Sequence, residues 1–179
     1  MNKRIKVCDR EFGIYISAEA IDQAVSRVAQ SLNTDLKGKT PLFLVVLNGA
    51  FMFASDLLKK IELENNISFV KLSSYSGTRS SQVVSELIGL TEVVKGRTVV
   101  IIEDIIDTGL TMKRMLEILN QQEAAEVKIA TLVFKPGAFT ADYKIDYIGL
   151  EIPNDFILGY GLDYDGFGRN LPDIYKIIE

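Results

Sequence analysis

The residues best suited to chemistry lie in one segment, VVIIEDIIDTGLTM, which spans positions 99–112. Its second half reads as a turn that opens a helix, and the backbone N–H groups of such a turn can bind a phosphate. Two threonine hydroxyls can add hydrogen bonds, and a glycine lets the backbone approach a ligand closely at positive φ. The predicted phosphate site comprises Asp107, Thr108, Gly109, Leu110 and Thr111.

Two further carboxylates, Glu103 and Asp104, come before this turn, at the end of a predicted buried strand. Adjacent carboxylates can accept hydrogen bonds from sugar hydroxyls or ligate a hard divalent cation. The alternative is that these acids and Asp107 only cap a helix, and that Gly109 only makes a turn. Three carboxylates within five positions repel one another, and a cap needs only one of them, which favours a ligand site.

The lack of histidine in the 179 residues restricts the chemistry. Ser-His-Asp and Cys-His mechanisms are excluded, and so is any histidine-ligated zinc or haem site. Acid–base catalysis must therefore use Asp, Glu, Lys or Tyr, and oxygen atoms must supply most of the ligands of any metal.

Composition and charge indicate a globular chain of one domain. The 179 residues are 47% hydrophobic and 25% charged, with no apolar run near the roughly 20 residues of a membrane span. A net charge of −4 argues against nucleic acid as the main partner, and no secretory signal is apparent. The single cysteine, Cys8, cannot form an intrachain disulfide, so we expect a cytoplasmic protein without a membrane or nucleic-acid partner.

The elements that must position these residues alternate along the chain. Ser17 is the predicted N-cap of a helix over 18–32, and further helices are predicted after Asn48-Gly49 and within the 99–112 segment. Short apolar runs predict strands over 42–47, 67–72, 87–94, 98–102, 127–134 and 147–152. This alternation predicts a mostly parallel sheet with helices on both faces, which binds ligands beyond the carboxyl ends of its strands. The candidate ligand-binding positions, which follow those strand ends, are therefore residues 48–49, 73–82, 103–111 and Lys135.

The motif EDIIDTG, residues 103–109, resembles the signature with which type I phosphoribosyltransferases bind 5-phosphoribosyl pyrophosphate (PRPP). The resemblance is close to the hypoxanthine/guanine branch of that family. Other stretches follow in the family's order: LNGAFMF (47–53), SSY (73–75), FKP (134–136), IPNDFILGYGLDY (152–164) and RNLP (169–172). The resemblance covers the chain from about residue 41 onward. It implies a single α/β domain over 1–179 with the type I phosphoribosyltransferase fold. In that fold a central, mostly parallel sheet is flanked by helices, and a small irregular hood lobe would come from roughly 1–16 and 151–179.

The reaction implied by the resemblance is transfer of the 5-phosphoribosyl group of PRPP to N9 of hypoxanthine. Guanine is a second implied acceptor, so that the products are IMP or GMP and pyrophosphate. The implied cofactor is Mg²⁺, and the implied assembly is a homodimer or homotetramer. Two alternatives stay open: another base such as xanthine as acceptor, or a phosphoribosyltransferase-like regulator that senses nucleotides. The acidic composition disfavours the regulator.

The resemblance also assigns roles to the acids. The 5′-phosphate would sit at residues 107–111, with Glu103 and Asp104 facing the ribose hydroxyls and a magnesium ion. Asp107 corresponds to a general base near purine N7, the alternative being that it only orients the loop. Asp163 corresponds to a second magnesium ligand, at the purine end of the site.

Four residues would then contact the base and the pyrophosphate. Lys135 corresponds to the donor to the purine 6-oxo group, although a lysine at a strand end can also be merely solvated. Phe156 or Ile157 would stack on or flank the base beside Asp163, and the alternative for Phe156 is a core position. Arg169 corresponds to a pyrophosphate contact, for which its planar fork is suited.

Two loops complete the expected site. Asn48 and Gly49 match a pyrophosphate-binding loop that often contains a non-proline cis peptide, but many relatives carry Lys or Arg where this chain has Asn48. Asn48 keeps the backbone amide but lacks the positive charge of that Lys or Arg. We therefore expect pyrophosphate affinity, or communication between subunits, to differ from that of those relatives. Residues 73–82 resemble a mobile lid in which Ser74 and Tyr75 would close over PRPP, the alternative being an ordinary surface loop.

Overall fold

A computed structural model describes residues 4–75 and 84–178 of the chain. Three helices occur within these residues: α1 (Ala18–Asp35), α2 (Phe51–Leu58) and α3 (Leu110–Gln121). The strands of the same residues are β1 (Arg4–Val7), β2 (Arg10–Ile16), β3 (Leu42–Val46), β4 (Asn66–Tyr75), β5 (Val84–Ile88), β6 (Thr98–Ile106), β7 (Glu126–Phe134), β8 (Tyr147–Glu151), β9 (Ile157–Leu158) and β10 (Ile174–Ile177). None of the described helices is long and apolar enough to cross a membrane.

The larger sheet has six strands in the order β5-β4-β3-β6-β7-β8. Strands β4, β3, β6, β7 and β8 run parallel, and β5 pairs antiparallel with β4 at one edge. This confirms the prediction of a mostly parallel sheet. Since β3 and β6 are neighbours and run parallel, their carboxyl ends lie at the same end of the sheet.

Helices cover both faces of this sheet. In β3, Phe43 and Val45 pack in one core cluster with α1 and α2, whereas Leu44 packs in a second cluster with α3. The predicted N-cap also forms, because the backbone N–H of Ala20 donates to the hydroxyl of Ser17 at 3.3 Å. Burial on both faces explains why these strands read as continuous apolar runs in the sequence.

Three predicted boundaries are wrong. Strand β6 continues to Ile106 instead of ending at residue 102, so Glu103 lies inside the strand and pairs with Thr131 of β7. Strand β4 runs through Tyr75, so residues 73–75 extend the strand instead of beginning a loop. The strand predicted over 87–94 is replaced by β5, which pairs with β4. In the first two cases a neighbouring strand pairs with the backbone of residues whose side chains gave no strand signal, whereas only 87–88 of the strand predicted over 87–94 are in a strand.

A second, smaller sheet has the order β1-β2-β10-β9 and is antiparallel throughout. It therefore brings residues 4–16 together with 157–177. Its own small core consists of Phe12, Leu158 and Tyr175. We call this layer the hood sheet. Strands β9 and β10 lie within 151–179, the part of the chain for which the resemblance implied an irregular hood lobe, and they give this part regular structure.

Candidate active site

The turn between β6 and α3 forms the centre of the candidate site. Gly109 is the N-cap of α3 at φ 85° and ψ −2°, in the left-handed region that glycine adopts at least cost. The first backbone N–H groups of a helix have no partner within the helix, so α3 offers donors at this end. Together with Glu103 and Met112, four of the five residues predicted to bind phosphate line a cleft of about 100 Å³, namely Asp107, Thr108, Gly109 and Thr111.

Two adjacent carboxylates lie behind this turn. Glu103 is buried in β6, and one of its carboxylate oxygens accepts the backbone N–H of Asp104 at 3.2 Å. Burial, and then the charge of Asp104, raise the pKa of Glu103 well above its usual value. The Asp104 carboxylate accepts the N–H of Ile105 at 2.9 Å. Asp104 is the more accessible of the two acids and is therefore the better placed to meet a ligand.

Gly49 lies directly against the Asp104 carboxylate. A Cβ at position 49 would overlap that carboxylate, so only glycine leaves room for Asp104 in its present position. The peptide bond between Leu47 and Asn48 is cis, as the resemblance to the family implied. The loop after β3 and the acids of β6 thus form one packed unit at the end of the sheet.

Asp107 and Lys135 form an ion pair that our sequence analysis did not predict. The ammonium of Lys135 lies 3.2 Å from a carboxylate oxygen of Asp107. The Lys135 side chain is only 11% exposed, whereas that of Asp107 is 49% exposed, so the pair links the interior to the cleft. Its signal was present in the strand pattern, because Ile106 and Phe134, which precede the two residues, pair with each other across β6 and β7.

A loop of the hood region lies on the loop after β3. Gly161 has φ 99°, and a Cβ there would overlap the carbonyl oxygen of Gly49. Arg169 donates to the Gly161 carbonyl at 2.7 Å and forms an ion pair with Asp163. The structure thus brings Arg169 and Asp163 together and joins Arg169 to Gly161, the residue that lies against Gly49.

The two residues expected at the base differ in exposure. Phe156 is 46% exposed, and its ring meets that of Tyr164 edge-on with the ring centres 5.6 Å apart. Phe156 is thus a surface that a flat ligand can reach. Ile157 is buried in the main core, so its side chain does not offer a comparable surface.

The predicted lid is only partly described. Ser74 and Tyr75 belong to β4, and their backbones pair with Ser85 and Val84 of β5. Residues 76–83 of the predicted lid lie outside the described residues.

The sequence interpretation missed a segment that covers the turn after β6. Residues 139–143 follow β7 and contact Gly109 through Phe139, Ala141 and Tyr143. The available signal was a pair of aromatic residues, Phe139 and Tyr143, in the connection after a buried strand, shortly downstream of Lys135.

The oxygen donors of the site fit a divalent ion that is shared with a ligand. Within the described residues, no three acidic or cysteine side chains meet in a group that could hold a metal alone. Glu103 and Asp104 adjoin each other, while Asp163 is paired with Arg169. Mg²⁺ usually takes one or two carboxylates and completes its shell with water and phosphate oxygens, which is the arrangement these residues permit.

Comparison with known proteins shows which family the chain belongs to. The Phosphoribosyl transferase domain model matches residues 15–165. Hypoxanthine-guanine phosphoribosyltransferases of Streptococcus pneumoniae and Bacillus subtilis are 40% and 41% identical over 162 residues, which is 90% of this chain and 90% of each relative. A crystal structure of a hypoxanthine phosphoribosyltransferase from Staphylococcus aureus has a TM-score of 0.85 at 36% identity, covering 92% of this chain and 90% of that one. The chain therefore belongs to the phosphoribosyl transferase family, in its hypoxanthine-guanine phosphoribosyltransferase branch.

Proposed function

We propose that the chain transfers the 5-phosphoribosyl group of PRPP to N9 of hypoxanthine or guanine and releases pyrophosphate. The observation that carries this proposal is the Asp107–Lys135 pair beside the turn that opens α3. It places a carboxylate and a buried cation next to a helix N-terminus suited to phosphate. The names of the relatives agree with a 6-oxopurine as the acceptor.

PRPP would lie across the carboxyl ends of β3 and β6. Its 5′-phosphate would take the backbone N–H groups and threonine hydroxyls of residues 107–111, since these line the cleft. Its ribose hydroxyls would donate to Glu103 and Asp104. Its pyrophosphate would meet the amides of Asn48 and Gly49, with Arg169 supplying the positive charge that Asn48 lacks.

Magnesium would be held by Asp104 and Glu103 on the ribose side and by Asp163 near the base. When bound, the ion neutralises negative charge on the pyrophosphate. The two acids of β6 also lie where positive charge develops on the ribosyl carbon during transfer, and they stabilise it electrostatically. Glu103 contributes most when ionised, a form that its burial disfavours in the free protein.

The purine would insert between Phe156 and the Asp107–Lys135 pair. Lys135 donates to the 6-oxo group of the base, and since adenine presents an amine donor there instead, a cation at this position selects 6-oxopurines. Asp107 then accepts a proton from the purine, in the absence of any histidine for that task. Phe156 stacks on the ring, with the backbone of Ile157 and Asp163 at its edge. Ser74 and Tyr75 are proposed to belong to a lid that excludes water during transfer.

We propose that the chain assembles as a homodimer or homotetramer and is located in the cytoplasm. Phe51, Ile67 and Phe69 are 43%, 45% and 51% exposed. Phe69 pairs with Val45, so its side chain is on the sheet face that carries α1 and α2. Exposed apolar side chains on one face are typical of a subunit contact.

Pyrophosphate release with different bases tests the proposed function. The purified chain is incubated with PRPP, Mg²⁺ and one of hypoxanthine, guanine, xanthine or adenine. We expect turnover with hypoxanthine and guanine, and little with adenine. Xanthine as the best acceptor would favour the alternative base. Adenine as the best acceptor would contradict the role of Lys135, and no turnover with any base would contradict the proposed activity.

A further inference from the structure

The segment 139–143 binds the carbonyl groups of the turn that opens α3. The backbone N–H of Thr140 donates to the carbonyl of Thr108 at 3.2 Å, and the Thr140 hydroxyl donates to the same oxygen at 3.4 Å. The hydroxyl of Tyr143 donates to the carbonyl of Gly109 at 2.9 Å. Two successive peptide groups of the turn are therefore held from the same side.

Holding these carbonyls fixes the direction of the neighbouring N–H groups. In a trans peptide the C=O and the following N–H point in opposite directions. The N–H groups of Gly109 and Leu110 therefore point away from the segment 139–143. The carbonyl of Gly109 also accepts the N–H of Lys113 at 3.0 Å, so two donors hold it in place.

Tyr143 is itself held rigidly by aromatic contacts. Its ring meets that of Phe139 edge-on at 5.3 Å between centres, and Phe139 meets Phe134 of β7 in the same way at 5.3 Å. The hydroxyl of Tyr143 would lie 2.9 Å from a Cβ at position 109, so the contact depends on the glycine. Burial, and then the charge of Glu103, raise the pKa of Tyr143 to about 12, and the hydroxyl stays a donor at neutral pH.

We infer that Tyr143 is a positioning residue for PRPP, because it holds the Gly109 carbonyl and thereby orients the N–H groups that bind the 5′-phosphate. Tyr143 does not touch the substrate in this arrangement. The inference rests on the proposed placement of the 5′-phosphate at residues 107–111. It adds to that proposal a residue that lies 32 positions beyond Thr111 and acts from the far side of the turn.

The Tyr143→Phe variant tests the inference by steady-state kinetics. It keeps the ring packing and removes only the hydroxyl, and one lost neutral hydrogen bond corresponds to about a two- to tenfold change in an equilibrium constant. We therefore expect the KM for PRPP to rise about two- to tenfold, with kcat and the KM for hypoxanthine within about twofold of the parent. The matched control is Tyr147→Phe, which removes a hydroxyl that donates to Asp35 of α1 at 3.1 Å and should leave the KM for PRPP unchanged.

A second variant separates this inference from the proposed function. Thr111→Val removes a hydroxyl that lines the phosphate cleft directly. A higher KM for PRPP in Thr111→Val together with an unchanged KM in Tyr143→Phe would overturn the inference and leave the phosphate placement intact. Unchanged values in both variants would overturn the placement and the inference together. If Tyr143→Phe raised the KM for both substrates and lowered kcat by similar factors, the role of Tyr143 would be merely structural, and the inference would be overturned.

Discussion

Each charged residue in the candidate site has a neighbour that limits what it can do. Asp107 is paired with Lys135, Arg169 with Asp163, and Glu103 is buried against Asp104. An ion pair between a half-exposed acid and a buried lysine keeps both side chains oriented before a base arrives. In the proposed placement, a 6-oxopurine would exchange these partners, because its oxo group would take Lys135 and would leave the Asp107 carboxylate free to accept a proton.

Substitution of Asp107 by asparagine separates proton transfer from binding. Asparagine keeps the size of the side chain and a hydrogen-bonding oxygen but is not a base. We expect kcat to fall about 10²–10⁴-fold, which is the usual contribution of general acid–base catalysis, while the calorimetric affinity for PRPP changes little. Asp22→Asn, at an exposed ion pair on α1, serves as the control and should retain full turnover. Equal losses of affinity and turnover in Asp107→Asn would instead make this residue a binding or structural group.

At the scale of elements, the site depends on how closely the loops after β3 and β6 pack. The Asp104 carboxylate occupies the space that a side chain at position 49 would need, and the carbonyl of Gly49 does the same for position 161. Three segments from distant parts of the chain therefore meet through two glycines. A displacement of any one segment shifts the other two.

The Gly49→Ala variant tests this packing. The added methyl group overlaps the Asp104 carboxylate and forces it away, so we expect kcat/KM for PRPP to fall about tenfold to a hundredfold, as misplaced groups do in other active sites. Gly137→Ala is a fair control, since a Cβ there would make only ordinary contacts with Asn154 at 3.5 Å. Parent-like kinetics in Gly49→Ala would show that Asp104 is not needed in its present position.

The sequence predicted the elements better than their ends. Buried parallel strands are apolar on both faces, so β3 and the first part of β6 were readable as apolar runs. The apolar run of β6 is broken at Glu103, and the prediction ended there, whereas backbone pairing with β7 carries the strand on to Ile106. The site residues of the 99–112 segment stood out because they are close in sequence. The contact of Tyr143 with Gly109 joins residues 34 apart, and no local pattern encodes it.

At the scale of the whole molecule, a tyrosine connects the loop after β9 to helix α2. The hydroxyl of the buried Tyr160 donates to a carboxylate oxygen of Asp56 on α2 at 2.6 Å. Burial alone would raise the pKa of Asp56, but hydrogen bonds from Lys59 and Tyr160 outweigh it and hold this pKa below its usual value. Tyr160 adjoins Gly161, so the same contact keeps the hood loop against Gly49.

The Tyr160→Phe variant should therefore show a pH-dependent loss of stability. A carboxyl whose pKa is lowered by folding stabilises the native state above its unfolded pKa, and this contribution disappears as the pH falls through the folded pKa. We expect a loss of about 1 kcal/mol at neutral pH, less than the roughly 1.5–3 kcal/mol of a hydrogen bond to a charged group because Asp56 is partly exposed, and a smaller loss at pH 3. Thermal denaturation of parent and variant at both pH values measures it. A loss that is equal at the two pH values would contradict the assignment to Asp56.

The hood sheet also sets an order of events during synthesis. Strand β2 has β1 as a local partner, but its other neighbour, β10, lies more than 150 residues further along the chain. On the ribosome, the parallel sheet can therefore assemble while one edge of β2 still awaits its partner. Phe12 of β2 packs with Leu158 and Tyr175, and its ring centre lies 6.3 Å from that of Phe156. The Phe156 surface proposed to stack on the purine is thus among the last parts of the molecule to be completed, and a nascent chain forms the turn proposed to bind phosphate well before it.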